Sequence, residues 1–104
     1  IVTPLMALGA VGVISVWSNV APHDVHQMCM DFLNGNITEA TKMQLKAQPL
    51  VEALFSEVNP IPVKAALNLM GKNVGSLRSP LTEMTEAGQA KLAAAMKEYG
   101  IELA

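Results

Sequence analysis

Cysteine occurs once in these 104 residues, at Cys29, so no intramolecular disulfide can form. A single thiol fits a reducing compartment, and the cytoplasm is the expected location. Charge is also scarce. Charged residues make up 15% of the chain and apolar ones 51%, too hydrophobic for a disordered segment and lean for a domain that stands alone in water. Seven Lys and Arg oppose nine Asp and Glu, for a net charge of −2 without any basic block, which excludes a phosphate-tracking surface and makes nucleic acid an unexpected partner. The longest apolar run, Leu5 to Trp17, is interrupted by Gly9, Gly12 and Ser15. It falls short of the roughly 20 residues a bilayer span needs. Nor does it read as a secretory signal, since no Lys or Arg precedes it, and the opening at Ile1 reads as an internal start.

What is present is mostly helical signal. Thr3-Pro4 ahead of Leu5-Met6-Ala7-Leu8-Gly9 predicts a short helix, with Thr3 as cap, Pro4 in the first position and Gly9 as the left-handed stop. Val11-Gly12-Val13-Ile14-Ser15-Val16 is a β-branched run without alternation, the pattern of a strand buried on both faces of a parallel sheet. No second such run follows, so this strand requires neighbours outside the chain. From Pro22 to Leu33, Val25, Met28, Cys29, Phe32 and Leu33 share one helical face, and Asn34-Gly35 ends it. Asn36 with Glu39 resembles a capping box at the head of a helix running to about Phe55, with a stripe of Ala40, Met43, Ala47, Leu50, Val51 and Leu54. Pro49 lies inside that stripe and predicts a kink of more than about 20° between Leu45 and Pro49. Asn59-Pro60-Ile61-Pro62 leads into a helix carrying Val63, Ala66, Leu67 and Met70 inward, closed by Gly71. After a long connection over residues 72–82, Thr85 caps a last helix with Gly88, Leu92, Ala95, Met96 and Tyr99 on one face and Gly100 as its stop.

Chemistry-bearing patterns are few. His23, His26 and Cys29 are spaced as metal ligands on a helix are, yet they spread over about 120° of its circumference and lack a fourth partner, so a buried Cys and two surface histidines is the preferred reading. The seven Met residues fall mostly at apolar-face positions and read as core filling. Asn36-Ile37-Thr38 matches a glycosylation sequon, but Asn36 has a capping role. Glu83 and Glu86 suit the positive end of a helix dipole better than an acid pair. Of the six lysines, Lys42, Lys46, Lys91 and Lys97 fall on polar helix faces, Lys72 in a loop and Lys64 in a first helical turn; none lies on the strand, and no nucleophile elbow or phosphate loop occurs.

The order Gly9-Ala10-Val11-Gly12-Val13-Ile14-Ser15-Val16, Ser18-Asn19-Val20-Ala21-Pro22, Asn59-Pro60-Ile61-Pro62-Val63-Lys64 and Leu77-Arg78-Ser79-Pro80-Leu81 resembles that of the dihydrodipicolinate synthases, within the pyruvate-dependent class I aldolase superfamily. The likeness covers essentially the whole chain, but only the last third of such an enzyme, because a complete (β/α)8 barrel takes about 250 residues. The resemblance implies an α/β fold of which this chain is the C-terminal portion: residues 1–34 as the end of helix 7, strand 8 and helix 8, and residues 35–104 as the C-terminal helical region. The chain itself would be mainly α with one β-strand, which strands 1 and 7 would flank.

The same resemblance implies a cytoplasmic lyase of lysine and diaminopimelate biosynthesis. In that family a lysine forms a Schiff base with pyruvate, and the enamine attacks aspartate β-semialdehyde without a further cofactor or metal. That lysine would belong to the N-terminal part of the barrel and be absent here, leaving this chain inactive alone. Of the substrate site, the main chain at Ile14 would carry over, beside pyruvate, with Gly12 to Ser15 holding that edge. Trp17 departs from the small residue expected after the strand. The family forms homotetramers, and Leu8 with the helix end around it would meet another subunit. The competing reading is a non-catalytic helical module that serves assembly or stability.

Overall fold

The computed structural model describes residues 1–104. Helices occupy more than half of the chain, and there is no strand: α1 (Val2–Ala7), a 3-10 turn (Trp17–Asn19), α2 (Pro22–Leu33), α3 (Ile37–Leu54), α4 (Ile61–Leu69) and α5 (Glu86–Tyr99). The four helices expected after residue 20 are all present. Two compact units divide the chain, Ile1–Gln48 and Pro49–Ala104, and the division falls inside α3.

In the first unit, α1 and the 3-10 turn both pack on α2. Trp17, Val20, Val25, Met28, Ala40 and Ala47 are buried. Val25 and Met28 lie on the predicted inward stripe of α2, whose start at Pro22 and end before Asn34-Gly35 agree with the sequence reading. Thr3 is a correction. The helix starts at Val2, two residues ahead of the expected Pro4, so Thr3 sits inside it, buried, and its N–H donates to Gln44 Oε1 on α3 at 3.2 Å instead of capping. Gly9 takes the left-handed conformation expected of the stop, with φ 97°. Glu39 accepts from Lys42 Nζ at 2.7 Å one turn on, an exposed i,i+3 pair, and makes no reciprocal box with Asn36.

The predicted strand over Val11 to Val16 does not form. From Val11 to Ile14 the main chain makes no hydrogen bond, and the segment is irregular until the 3-10 turn. The physical reason is that β-branched side chains favour an extended segment but cannot create a sheet: a ladder needs a second strand, and these residues are the chain's one β-branched run. The helical alternative for residues 5–17 fails as well, with α1 ending at Ala7.

In the second unit, α4 and α5 pack together, and Leu50, Leu54, Val63, Ala66, Leu92, Met96 and Tyr99 are buried. Pro49 lies within α3, and the helix continues past it to Leu54. Gly71 and Gly100 hold left-handed φ values of 75° and 105°, as helix stops require. The 72–82 connection has no helix or strand but is tied to α4. Asn68 Oδ1 accepts the Val74 N–H at 2.9 Å, Asn68 Nδ2 donates to the Gly75 carbonyl at 3.0 Å, and Lys64 Nζ donates to the Ser76 carbonyl.

Thr85 caps α5 as its sequence position indicates, Oγ1 accepting the Gly88 N–H at 3.1 Å. The cap has an outer partner: Thr85 Oγ1 donates to Glu57 Oε1 at 2.6 Å, and the Thr85 N–H reaches the same oxygen at 3.3 Å. A Cβ at position 88 would lie 2.5 Å from Glu57 Oε1 and 2.9 Å from Thr85 Oγ1. Replacing a helical Gly by Ala ordinarily stabilises by about 1 kcal/mol. Here the added methyl must displace the cap and its partner, worth about 0.5–2 kcal/mol, so Gly88→Ala is expected to lose most or all of that gain and to leave stability between near-unchanged and about 1 kcal/mol lower. In chemical denaturation of Gly88→Ala beside the parent, a rise in midpoint would show that Glu57 swings away at no cost.

Candidate functional site

The candidate site is built on the segment Ala10–Val16 and the elements beside it. Ser15 anchors its downstream end: the Ser18 N–H donates to Ser15 Oγ at 3.0 Å, and Ser18 Oγ donates to the Ser15 carbonyl at 2.9 Å. Asn19 Nδ2 adds bonds to the carbonyls of Val16 at 3.0 Å and Ser15 at 3.3 Å. Trp17, the departure noted in the sequence, is buried at the first position of this turn, so its bulk is directed into the unit and away from the solvent-facing segment. The upstream end is fixed where the Ala10 N–H donates to the Leu5 carbonyl at 3.0 Å. Between these anchors Val11 and Ile14 are fully exposed and Val13 is 49% exposed.

A cavity of about 310 Å³ adjoins the segment, lined by Ala10 to Val13, Ile1, Val2, Leu5, Met6, Cys29 and Leu33. No charged side chain lines it. Burial pushes the Cys29 thiol above its ordinary pKa, so it is a poorer nucleophile than a free cysteine. The chemistry such a surface offers is therefore apolar contact and main-chain hydrogen bonding; no carboxylate, imidazole or lysine side chain lines it. Ile14, the one predicted substrate contact, stands exposed on the segment just beyond the residues that line the cavity, with its main chain uncommitted.

The other candidates are dispersed. His23 and His26 are exposed on α2, His23 Nδ1 lying 3.5 Å from Asp24 Oδ1, while Cys29 faces the cavity. No group of three His, Cys, Asp or Glu side chains is placed to hold a metal ion. Glu86 opens α5, and Glu83 precedes its cap. Lys64 is engaged with the Ser76 carbonyl, and no lysine precedes Lys42 in the chain. Sequence reasoning missed Glu57, which completes the α5 cap from 28 residues away, and Asn68, which orders the following loop. A distant carboxylate partner leaves no local signature. No helix is long and apolar enough to cross a membrane.

Residues 1–99 match the family model described as the dihydrodipicolinate synthetase family. The chain is 49% identical over 102 residues to a 4-hydroxy-tetrahydrodipicolinate synthase of Caldicellulosiruptor bescii, covering 98% of this chain and 35% of that protein. It is 53% identical over 100 residues to one of Lachnoclostridium phytofermentans, covering 96% and 34%. Among solved structures, dihydrodipicolinate synthase from Thermotoga maritima superposes with a TM-score of 0.92 at 44% identity, over 96% of this chain and 34% of that one. The enzyme from Cyanidioschyzon merolae with lysine bound does so with a TM-score of 0.92 at 40% identity, again over 96% and 34%. The chain thus spans about a third of the length of the relatives it matches. Because a family model accounts for nearly the whole chain and relatives share about half of its residues, this chain belongs to the dihydrodipicolinate synthetase family.

Proposed function

We propose that the chain is the C-terminal third of a 4-hydroxy-tetrahydrodipicolinate synthase, a cytoplasmic homotetrameric lyase that condenses pyruvate with aspartate β-semialdehyde in lysine and diaminopimelate biosynthesis. Residues 1–34 would close the barrel and residues 35–104 form its C-terminal helical region. The observation that carries this reading is identity of 49% across 98% of the chain to an enzyme of that name, of which the chain spans 35%.

In this reading the other two thirds supply the lysine that binds pyruvate as a Schiff base. The carbonyl carbon of pyruvate gains a bond to the lysine nitrogen and its oxygen leaves as water; loss of a methyl proton gives the enamine, whose carbon attacks the semialdehyde. The role of this chain is positional. Val11 to Val16 would become the eighth barrel strand, the free N–H and C=O groups of Val11 to Ile14 pairing with neighbouring strands, and the main chain at Ile14 would form one wall of the pyruvate site. Residues at strand ends on the C-terminal face of such barrels meet substrate, which suits an exposed segment lacking charged side chains.

Pyruvate with borohydride tests this. The 104-residue chain is expected to keep its mass of 11.0 kDa, whereas a fusion of this chain to the unmatched two thirds of the Thermotoga maritima enzyme takes up one reduced pyruvate. An adduct on the short chain would place the reactive amine here. A folded fusion that stays unmodified while the intact relative reacts would favour the helical assembly module.

A further inference from the structure

Asn34-Gly35 is the chain's one asparagine–glycine pair; every other asparagine is followed by Val, Ile, Pro or Leu. The pair has a chemistry of its own, because glycine places no side chain in the path of its amide nitrogen toward the side-chain carbonyl of the preceding asparagine. Asn34 and Gly35 are both exposed, in the turn between α2 and α3. Main-chain bonds close that turn: the Gly35 N–H donates to the Phe32 carbonyl at 3.1 Å and the Asn36 N–H to the Asp31 carbonyl at 2.7 Å, a Schellman pair, with Gly35 at φ 86°. Asn34 itself stands at φ −85°, ψ 4°. Ring closure needs the Gly35 nitrogen eclipsed with Asn34 Cβ, and at this ψ it eclipses the Asn34 main-chain nitrogen instead. Its N–H is also occupied by Phe32. The folded turn holds a reactive pair in an unreactive pose.

We propose that Asn34 is a site of spontaneous deamidation, gated by the Schellman turn that ends α2. When the turn opens, the Gly35 nitrogen gives up its proton and attacks Asn34 Cγ. A C–N bond forms there, and the side-chain nitrogen leaves as ammonia, taking up the proton that Gly35 lost. Water then adds to one of the two carbonyls of the resulting succinimide and breaks its bond to the ring nitrogen. Opening at Cγ leaves a carboxylate on the side chain of residue 34 and the main chain as before. Opening at the main-chain carbonyl leaves an isoaspartate, with the backbone routed through Cβ and Cγ and so one atom longer. Neither route needs an oxidant or a reductant. Both products weaken the turn that protected the pair: a carboxylate at position 34 stands at the negative end of the α2 dipole, one turn from Asp31, and a lengthened backbone shifts Gly35 and Asn36 away from their carbonyl partners. The gate lies wholly within residues 31–36, so it belongs to the turn itself and stands apart from the reading of the function above.

Ageing of the chain at mildly alkaline pH, folded and in guanidinium chloride, followed by peptide mass mapping, tests this. In the denatured chain Asn34 is expected to convert before any other asparagine. In the folded chain it should still be the first to convert, but more slowly, by the same factor by which native structure slows hydrogen exchange of the Gly35 amide, because both reactions wait for the same local opening. Asn34→Gln, whose longer side chain would have to close a larger ring, is expected to abolish the mass gain of this peptide in both states with an unchanged helical circular dichroism signal. The fusion described above should follow the same proportionality against its own Gly35 exchange. A folded chain that deamidates as fast as the denatured one overturns the proposal, since the turn would then be no gate. So does earlier conversion at another asparagine in either state, or a folded chain that stays unmodified over a time in which its Gly35 exchange predicts conversion.

Discussion

Leu92→Ala is expected to destabilise the chain by about 2–5 kcal/mol, the range for deleting a leucine side chain from a packed interior. Leu92 lies at 0% exposure on α5, in the unit where α5 packs on α4. The removed methyl groups lose their transfer free energy, and the surrounding side chains relax only in part, so a cavity adds to the loss. Domains of this size hold a margin of about 5–15 kcal/mol, so one such change removes a large fraction of it. Leu45 is the internal control: at 68% exposure, Leu45→Ala should stay within about 0.5 kcal/mol. Chemical denaturation of both variants decides. Similar midpoints for the two would mean that Leu92 fills no structural role that Leu45 lacks.

The effect of Pro49→Ala is expected to have the opposite sign. Pro49 is exposed, lies inside α3 and cannot donate to the Leu45 carbonyl; a proline in a helix interior costs about 3 kcal/mol relative to alanine. Part of that gain is offset because alanine leaves the unfolded chain freer, by about 0.4–1 kcal/mol. A net rise of about 2 kcal/mol is therefore expected, read as a higher denaturation midpoint. An unchanged midpoint would mean that the neighbours of α3 are fitted to a bend at the proline, so that straightening the helix loses contacts as fast as it gains a bond.

The features legible in the sequence are those whose causes lie within a few residues of one another. The extent of α2 follows from Pro22 at its start, a three-and-four stripe through Val25 and Met28, and Asn34-Gly35 at its end. The Thr85 cap and the Gly100 stop are equally local. What escaped depends on distant partners. Val11 to Val16 has strand composition, but composition sets a preference while a ladder requires a second strand, and the chain contains none. Thr3 has the chemistry of a cap, yet Gln44, 41 residues away, takes its N–H and draws it inside the helix. At the candidate site, Ile14 and its glycine-flanked run were visible because the motif is contiguous; the apolar cavity was not, because it gathers Ile1, Cys29 and Leu33 from separate elements.

The bonds from Lys64 and Asn68 to residues 74–76 bear on how the 72–82 connection moves. A stretch of this length without regular structure would ordinarily sample many conformations on the nanosecond to microsecond scale. Here two side chains one turn apart on α4 grip three consecutive residues, and Asn73, just before them, and Gly75, among them, hold left-handed φ values of 51° and 80° that set the curve of the backbone there. The connection is therefore coupled to the helix through these side chains: it follows α4 while they hold and is freed when they let go. Exchange of the Val74 amide consequently reports how often Asn68 releases its loop, a local event with its own free energy.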